Sequence, residues 1–182
     1  MLAKIPQKVT EEMNQALIAL LTAEEVEKAL KQMEPLKSPG PDGMPPLFFQ
    51  SYWSLVGLDV KESILMYLNS SMLPKSLGHS FITLIPKVKN PKHISQYRPV
   101  SLSNVLYRVF SKVLSNRLKP FLPYLVLEHQ SAFILDRLIS NNVLVAFETR
   151  HYIRNHCIRK TWFMALKLDM SKAYDRVEWR YM

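Results

Sequence analysis

SFITLIPKVKNPKHISQYRPVSLSNVLYRVFSKVLSNRLK, residues 80–119, changes periodicity along its length, and that change decides the fold class. SFITLIPKVK is apolar, rich in β-branched residues and stopped by Pro86, which reads as a strand. KNPKHISQYRP is polar and reads as a loop. After it, Ser103 stands where a helix cap would, and an apolar stripe follows through Leu106, Phe110, Val113 and Leu114. Arg108, Lys112, Arg117 and Lys119 give the same helix a basic face.

Upstream, TAEEVEKALKQM places Thr22 three residues before Glu25, a capping-box arrangement. Val26, Ala29, Leu30 and Met33 then recur at helical spacing, and Pro35 ends the helix. LKSPGPDGMPPLF concentrates Pro39, Gly40, Pro41, Asp42, Gly43, Pro45 and Pro46, so it reads as a shaped loop. LFFQSYWSLV and DVKESILMYLNSSM read as two helices, the second striped by Val60, Ile64, Leu68 and Met72.

Downstream, RLISNNVLVAFETRHYIRN reads as an amphipathic helix and TWFMALKLDM as a second strand. In that strand Met164, Leu166 and Leu168 share one face, and Phe163, Ala165, Lys167 and Asp169 share the other. A last helix starts at Ser171. Several helices around few strands argue an α+β fold. Two separated strands do not make a self-sufficient sheet, so a further sheet partner is expected.

With 182 residues, 48% hydrophobic and 21% charged, the chain has the composition of a globular domain with a core. No apolar run approaches the roughly 20 residues of a membrane-spanning helix, and the N-terminus lacks a signal-peptide layout. Cys157 is the only cysteine, so no intramolecular disulfide forms and an intracellular setting is expected. Charge is unevenly placed. Residues 1–79 carry 7 Lys and Arg against 9 Asp and Glu, whereas residues 80–182 carry 17 against 6. Such a basic half fits a polyanion partner, with a solvated basic face as the plainer alternative.

Asp169 ends an apolar strand, where a carboxylate is costly unless a cation or donor meets it. Two readings stand: a ligand for Mg²⁺, or a cap of the following helix. Asp175, followed by Arg176 and Glu178, reads as an ion-pair partner, and Tyr174 as packing or as a stacking surface. The loop with Lys87, Lys89, Lys92, His93 and Arg98 beside Tyr97 is either a triphosphate cradle or a solvated turn. His151, His156 and Cys157 lack the further ligands of a zinc site. GPDG resembles an RNA-clamping loop only weakly, because Pro41 removes a donor. There is no Walker loop and no Gly-x-Ser-x-Gly elbow.

Together these segments resemble the reverse transcriptase of plant LINE-type (non-LTR) retrotransposons. SPGPDGMPPLFFQSYW is similar to that family's opening motif, and ITLIPKVKNPKHISQYRPVSLSNVLYRVFSKVLSNRLK to its paired fingers motifs. EHQSAFILDRLISNNVLVAFE is similar to the segment between fingers and palm, and MALKLDMSKAYDRVEW to the first catalytic palm motif.

The resemblance implies an α+β polymerase-type fold, with mostly helical fingers, few strands and an incomplete palm. Residues 1–36 would be a helical lead-in, 37–160 the fingers, and 161–182 the first palm strand with the start of its helix. It implies that Asp169 is a catalytic aspartate binding Mg²⁺, and that Lys87, Lys89 and Arg98 contact the deoxynucleotide triphosphate. Tyr174 would lie under the incoming sugar, and Gln130 and Arg137 along the path of an RNA template carrying a DNA primer. Asp136 departs from the family, which usually has glycine there; a carboxylate would repel phosphate, and a positive φ would strain it. The paired aspartates of the family's second palm motif have no counterpart among Asp42, Asp59, Asp136, Asp169 and Asp175. The chain is therefore expected to be a truncated part of the enzyme, catalytically incompetent alone. The alternative is a non-catalytic basic nucleic-acid-binding remnant, or a product without function.

Overall fold

The computed structural model describes residues 8–70, 74–155 and 164–168. The chain divides into two units, Met1–Leu127 and Glu128–Met182.

The first unit opens with α1 (Glu11–Ile18), whose first turn is capped by the Thr10 hydroxyl accepting from the Met13 amide at 3.3 Å. In α2 (Ala23–Lys31) the expected capping box is present: Glu25 N–H donates to Thr22 Oγ1, and Thr22 N–H donates to Glu25 Oε2 at 2.9 Å. The C-terminal carbonyls of Leu30 and Met33 accept from the Gln50 side chain at 2.9 and 3.0 Å, which satisfies groups a helix end otherwise leaves orphaned. Next come α3 (Pro46–Ser51) and α4 (Trp53–Ser70). The second begins at Trp53, so SLVGL is helical and Gly57 lies inside it against the Trp53 ring.

The core forms where α2, α4 and α5 (Val105–Leu118) pack together. Val26, Ala29 and Leu30 of α2 meet Val60 and Ile64 of α4, with Phe49 of α3 at the edge. The expected stripes on α2 and α4 thus face the core, with Met33 and Leu68 only partly buried; Met72 lies outside the described residues.

Three expectations for α5 need correction. Its N-cap is Asn104, not Ser103, which instead ends a strand. Its buried stripe is Val105, Val109 and Val113, of which only Val113 belongs to the expected one. Leu106 only packs on the margin, and Leu114 is exposed. These valines share the core cluster with Val26, Ala29 and Leu30 of α2, and short branched side chains suit packing of two helices. Arg117 also leaves the expected basic face; its side chain is 13% exposed and paired with Glu25.

The sheet is a two-stranded antiparallel ribbon of β1 (Ser80–Pro86) and β2 (Tyr97–Ser103). β1 is the expected strand, while β2 falls on residues expected to be loop and helix cap. The polar reading missed the alternation of Arg98, Val100 and Leu102, because Pro99 interrupts it. Lys87 N–H donates to the Gln96 carbonyl at 2.7 Å, so the alternation of an antiparallel ladder makes Leu84↔Pro99 a non-hydrogen-bonded pair. The N–H that Pro99 lacks would face away from β1, and proline is tolerated there. A short α6 (Leu122–Leu125) follows α5.

In the second unit the described elements are a loop from Glu128 and α7 (Ile139–Asn155). The helix is where the sequence puts it, but none of its residues is buried. The strand expected over TWFMALKLDM is not formed in its described part: residues 164–168 carry no regular structure, and Met164, Leu166 and Leu168 are exposed. A strand needs a neighbour for its amides, and among the described residues this segment has none. Asp169, Tyr174 and the helix expected from Ser171 lie outside the described residues.

The loop SPGPDG is held on the N-terminus of α5. Asp42 N–H donates to Asn104 Oδ1 at 3.3 Å, and Arg108 Nη2 donates to the Ser38 carbonyl at 2.9 Å. Gly40 is buried there, and a Cβ on it would lie 2.5 Å from Asn104 N and from Ser103 C. Gly40→Ala is therefore expected to cost about 1–3 kcal/mol, because backbone has to move. Chemical denaturation would show it as a lower midpoint; an unchanged midpoint would mean that the loop does not sit on α5.

Candidate nucleotide and nucleic-acid site

The basic loop expected to meet a triphosphate is the turn joining β1 to β2. Its tip is built by its own polar groups. Gln96 Oε1 accepts from the amides of Lys92 at 2.6 Å and His93 at 3.1 Å, around a 3-10 turn at Ile94–Gln96. Lys87 Nζ donates to the Ser95 carbonyl at 3.0 Å, so this lysine braces the turn and is partly committed.

Arg98 pairs with Ile85 across the ribbon and shares its face. The same two-residue alternation carried past Pro86 brings Lys87 to that face. Lys87, Lys89 and Arg98 are thus brought to one end of the hairpin. All three are exposed, and among the described residues no hydrogen bond or ion pair engages the side chains of Lys89, Lys92 or Arg98. The ribbon also exposes apolar side chains on both faces, Phe81 and Ile85 on one, Ile82 and Leu84 on the other.

In the second unit, Gln130 and Arg137 are brought together. Arg137 Nη1 donates to the Gln130 carbonyl at 2.8 Å and closes the loop. Ser131 and Ile134 turn inward, and Ser131 Oγ accepts from Asn142 Nδ2 at 2.8 Å. Between these anchors Phe133 and Asp136 adopt φ of 65° and 61°. Asp136 therefore has the left-handed backbone that suits glycine and strains other residues. Phe133 is 95% exposed in the same kind of conformation, a feature the sequence did not flag. Asp136→Gly is expected to raise stability of the second unit by about 0.5–1 kcal/mol. Hydrogen exchange of loop amides would slow if this is right and would not change if the strain is absent.

Among the described residues no group of three or more His, Cys, Asp or Glu could hold a metal ion. Asp169 falls outside them, as do His156 and Cys157. No helix among the described residues is long and apolar enough to cross a membrane.

Residues 85–181 match the family described as reverse transcriptase (RNA-dependent DNA polymerase). The chain is 32% identical over 174 residues to the "Transposon TX1 uncharacterized 149 kDa protein" of Xenopus laevis, covering 96% of this chain and 13% of that one. It is 31% identical over 139 residues to the "Retrovirus-related Pol polyprotein from type-2 retrotransposable element R2DM" of Drosophila melanogaster, covering 76% and 12%. A third relative, the "Probable RNA-directed DNA polymerase from transposon BS" of the same fly, is 25% identical over 173 residues, covering 86% and 17%. The chain thus spans well under a fifth of the length of these relatives. The family match runs from the end of β1 through the basic turn, α5 and α7, and on that ground the chain belongs to the reverse transcriptase (RNA-dependent DNA polymerase) family, in the form carried by non-LTR retrotransposons.

Proposed function

We propose that the chain supplies the fingers and first palm strand of an RNA-directed DNA polymerase of plant LINE type, with the β1–β2 turn holding the triphosphate of an incoming deoxynucleotide. The observation that carries this reading is the end of the hairpin. Arg98 and the lysines at 87 and 89 rise from it together, and the side chains of Lys89 and Arg98 are uncommitted. A planar guanidinium grips phosphate oxygens in pairs, and the lysines add charge from the side. Gln96 and Ser95 keep the turn shaped before any ligand arrives, which lowers the cost of ordering it.

The other roles in this proposal rest on the resemblance of the motifs. Gln130 and Arg137 line the path of the RNA template, and Tyr174 lies beneath the incoming sugar. Reverse transcriptases generally use divalent metal ions. Asp169 is the proposed ligand for Mg²⁺, which when bound would stabilise charge developing on the transferred phosphate. The described residues contribute no metal ligand set, and the role of the chain's own side chains is to bind and orient. A non-catalytic nucleic-acid-binding role is the second reading, favoured by the 17 Lys and Arg against 6 Asp and Glu in residues 80–182.

The test joins this chain to the downstream palm and thumb of a relative and measures primer extension on an RNA template. Arg98→Ala should raise KM for the deoxynucleotide by about tenfold or more, the equivalent of one charge-assisted pair, with a smaller effect on kcat. An unchanged KM would remove the turn from the nucleotide site.

A further inference from the structure

We propose that the concavity between the C-terminal end of α2 and the polar side of α5 is a second anion site, taking a phosphate of a single-stranded nucleic-acid backbone. It is apart from the β1–β2 turn in sequence and in its residues. The cavity is about 430 Å³ and is lined by Lys37, Arg108 and Lys112, with Glu34 as its one carboxylate.

Arg108 carries the argument. Its Nη2 is spent on the Ser38 carbonyl, but its Nε is buried and, among the described residues, has no hydrogen-bond partner. A buried guanidinium N–H without an acceptor is a rare and costly arrangement, and it marks a place where an acceptor belongs. Burial lowers the pKa of Arg108, which nonetheless stays protonated at any ordinary pH. Among the described residues neither Lys37 nor Lys112 has an ion-pair partner, so two more cations face the same space outside any salt bridge.

Apart from Glu34, which is exposed to solvent, the groups that would repel an anion are dealt with. Gln50 covers the α2 carbonyls of Leu30 and Met33. Ser111 and Ser115 donate their hydroxyls to the Tyr107 and Ser111 carbonyls, which leaves the three cations and the Gln32 amide as donors. Among the described residues no aromatic side chain lines the cavity for a base or nucleoside to stack on, and Lys37, Glu34 and Ser115 are exposed. An open, cationic trough without a base platform suits a phosphodiester that runs on in both directions. The assignment rests on the reading of the chain as a nucleic-acid binder and adds a contact on α5 to it.

The experiment measures binding of a labelled 16-nucleotide oligouridylate to the 182-residue chain from 50 to 200 mM salt. Lys37→Ala with Lys112→Ala should flatten the slope of log Kobs against log salt by about 0.7–1.4, one or two single-strand phosphates. Arg108→Lys should weaken binding with the slope kept, because charge remains while the planar donor is lost. Circular dichroism confirms that each variant is folded. A double variant with wild-type slope and affinity overturns the site, and if Lys89→Ala with Lys92→Ala still lowers the slope, nucleic-acid binding itself stands. A wild-type chain with no salt slope overturns both. In a parallel arm, inorganic phosphate that raises the wild-type Tm but not that of the double variant, with unchanged oligouridylate slopes, would reassign the cavity to free phosphate and overturn the polynucleotide assignment.

Discussion

Arg117→Ala is expected to destabilise the first unit by about 3 kcal/mol, on the order of 10 °C in Tm. Arg117 Nε donates to Glu25 Oε1 at 2.7 Å and Nη2 to Glu25 Oε2 at 2.9 Å. The same guanidinium donates to the carbonyls of Leu17, Ala19 and Leu20, which end α1 and lead into α2. One side chain therefore ties α5 to the α1–α2 connection and braces the Glu25 that closes the α2 capping box. Removing it leaves a carboxylate only 31% exposed without its partner and three carbonyls without a donor. The Arg117 hydrogen bond holds the Glu25 carboxyl below the usual carboxylate range, against the effect of burial. A depressed folded pKa means that stability is present above the ordinary value near 4.5 and lost as pH falls through the folded one. The wild type should therefore lose stability below about pH 5, and Arg117→Ala should show less of this acid dependence. Arg117→Lys should fall between the two, since an ammonium cannot fork to both oxygens and reach the carbonyls as well. A variant as stable as the wild type would show that the ion pair is ornamental.

What the sequence makes legible is what is local. The α2 capping box needs only Thr22 and Glu25, three residues apart, and the apolar run of β1 announces itself before Pro86. Failures occur where distant partners decide. Pro99 reads as a breaker until β1 is known to lie on its other side. The choice between Leu106 and Val105 as the buried stripe is made by the core cluster with α2 and α4, far away in sequence. The Arg117–Glu25 pair spans 92 residues and has no local signature. In the candidate site, the cluster of Lys87, Lys89 and Arg98 was legible because a hairpin turn is itself local. The glycine-like demand at Asp136 was legible from the motif and is matched by its φ of 61°. The buried Nε of Arg108 was not, since its environment comes from the Ser38 loop and from α2. For the segment at 164–168, alternation promises a strand, but a strand exists only with a neighbour to bond.

The second large expected effect concerns Asp169. In a two-metal polymerase the attacking and leaving oxygens are both held by metal, so the carboxylates holding the ions act together and losing one disables the set. Asn keeps the size and one oxygen of Asp but not the charge, and Mg²⁺ depends on carboxylate charge for its few protein ligands. The most direct measurement is single-turnover primer extension on an RNA template by the chain joined to a relative's downstream palm and thumb, with Mg²⁺, comparing Asp169 with Asp169→Asn. The account predicts a loss of about a hundredfold or more in the extension rate, with primer–template affinity at fixed salt nearly unchanged. Equal rates with and without Asp169→Asn would contradict it, because the first palm motif would then not supply the metal ligand.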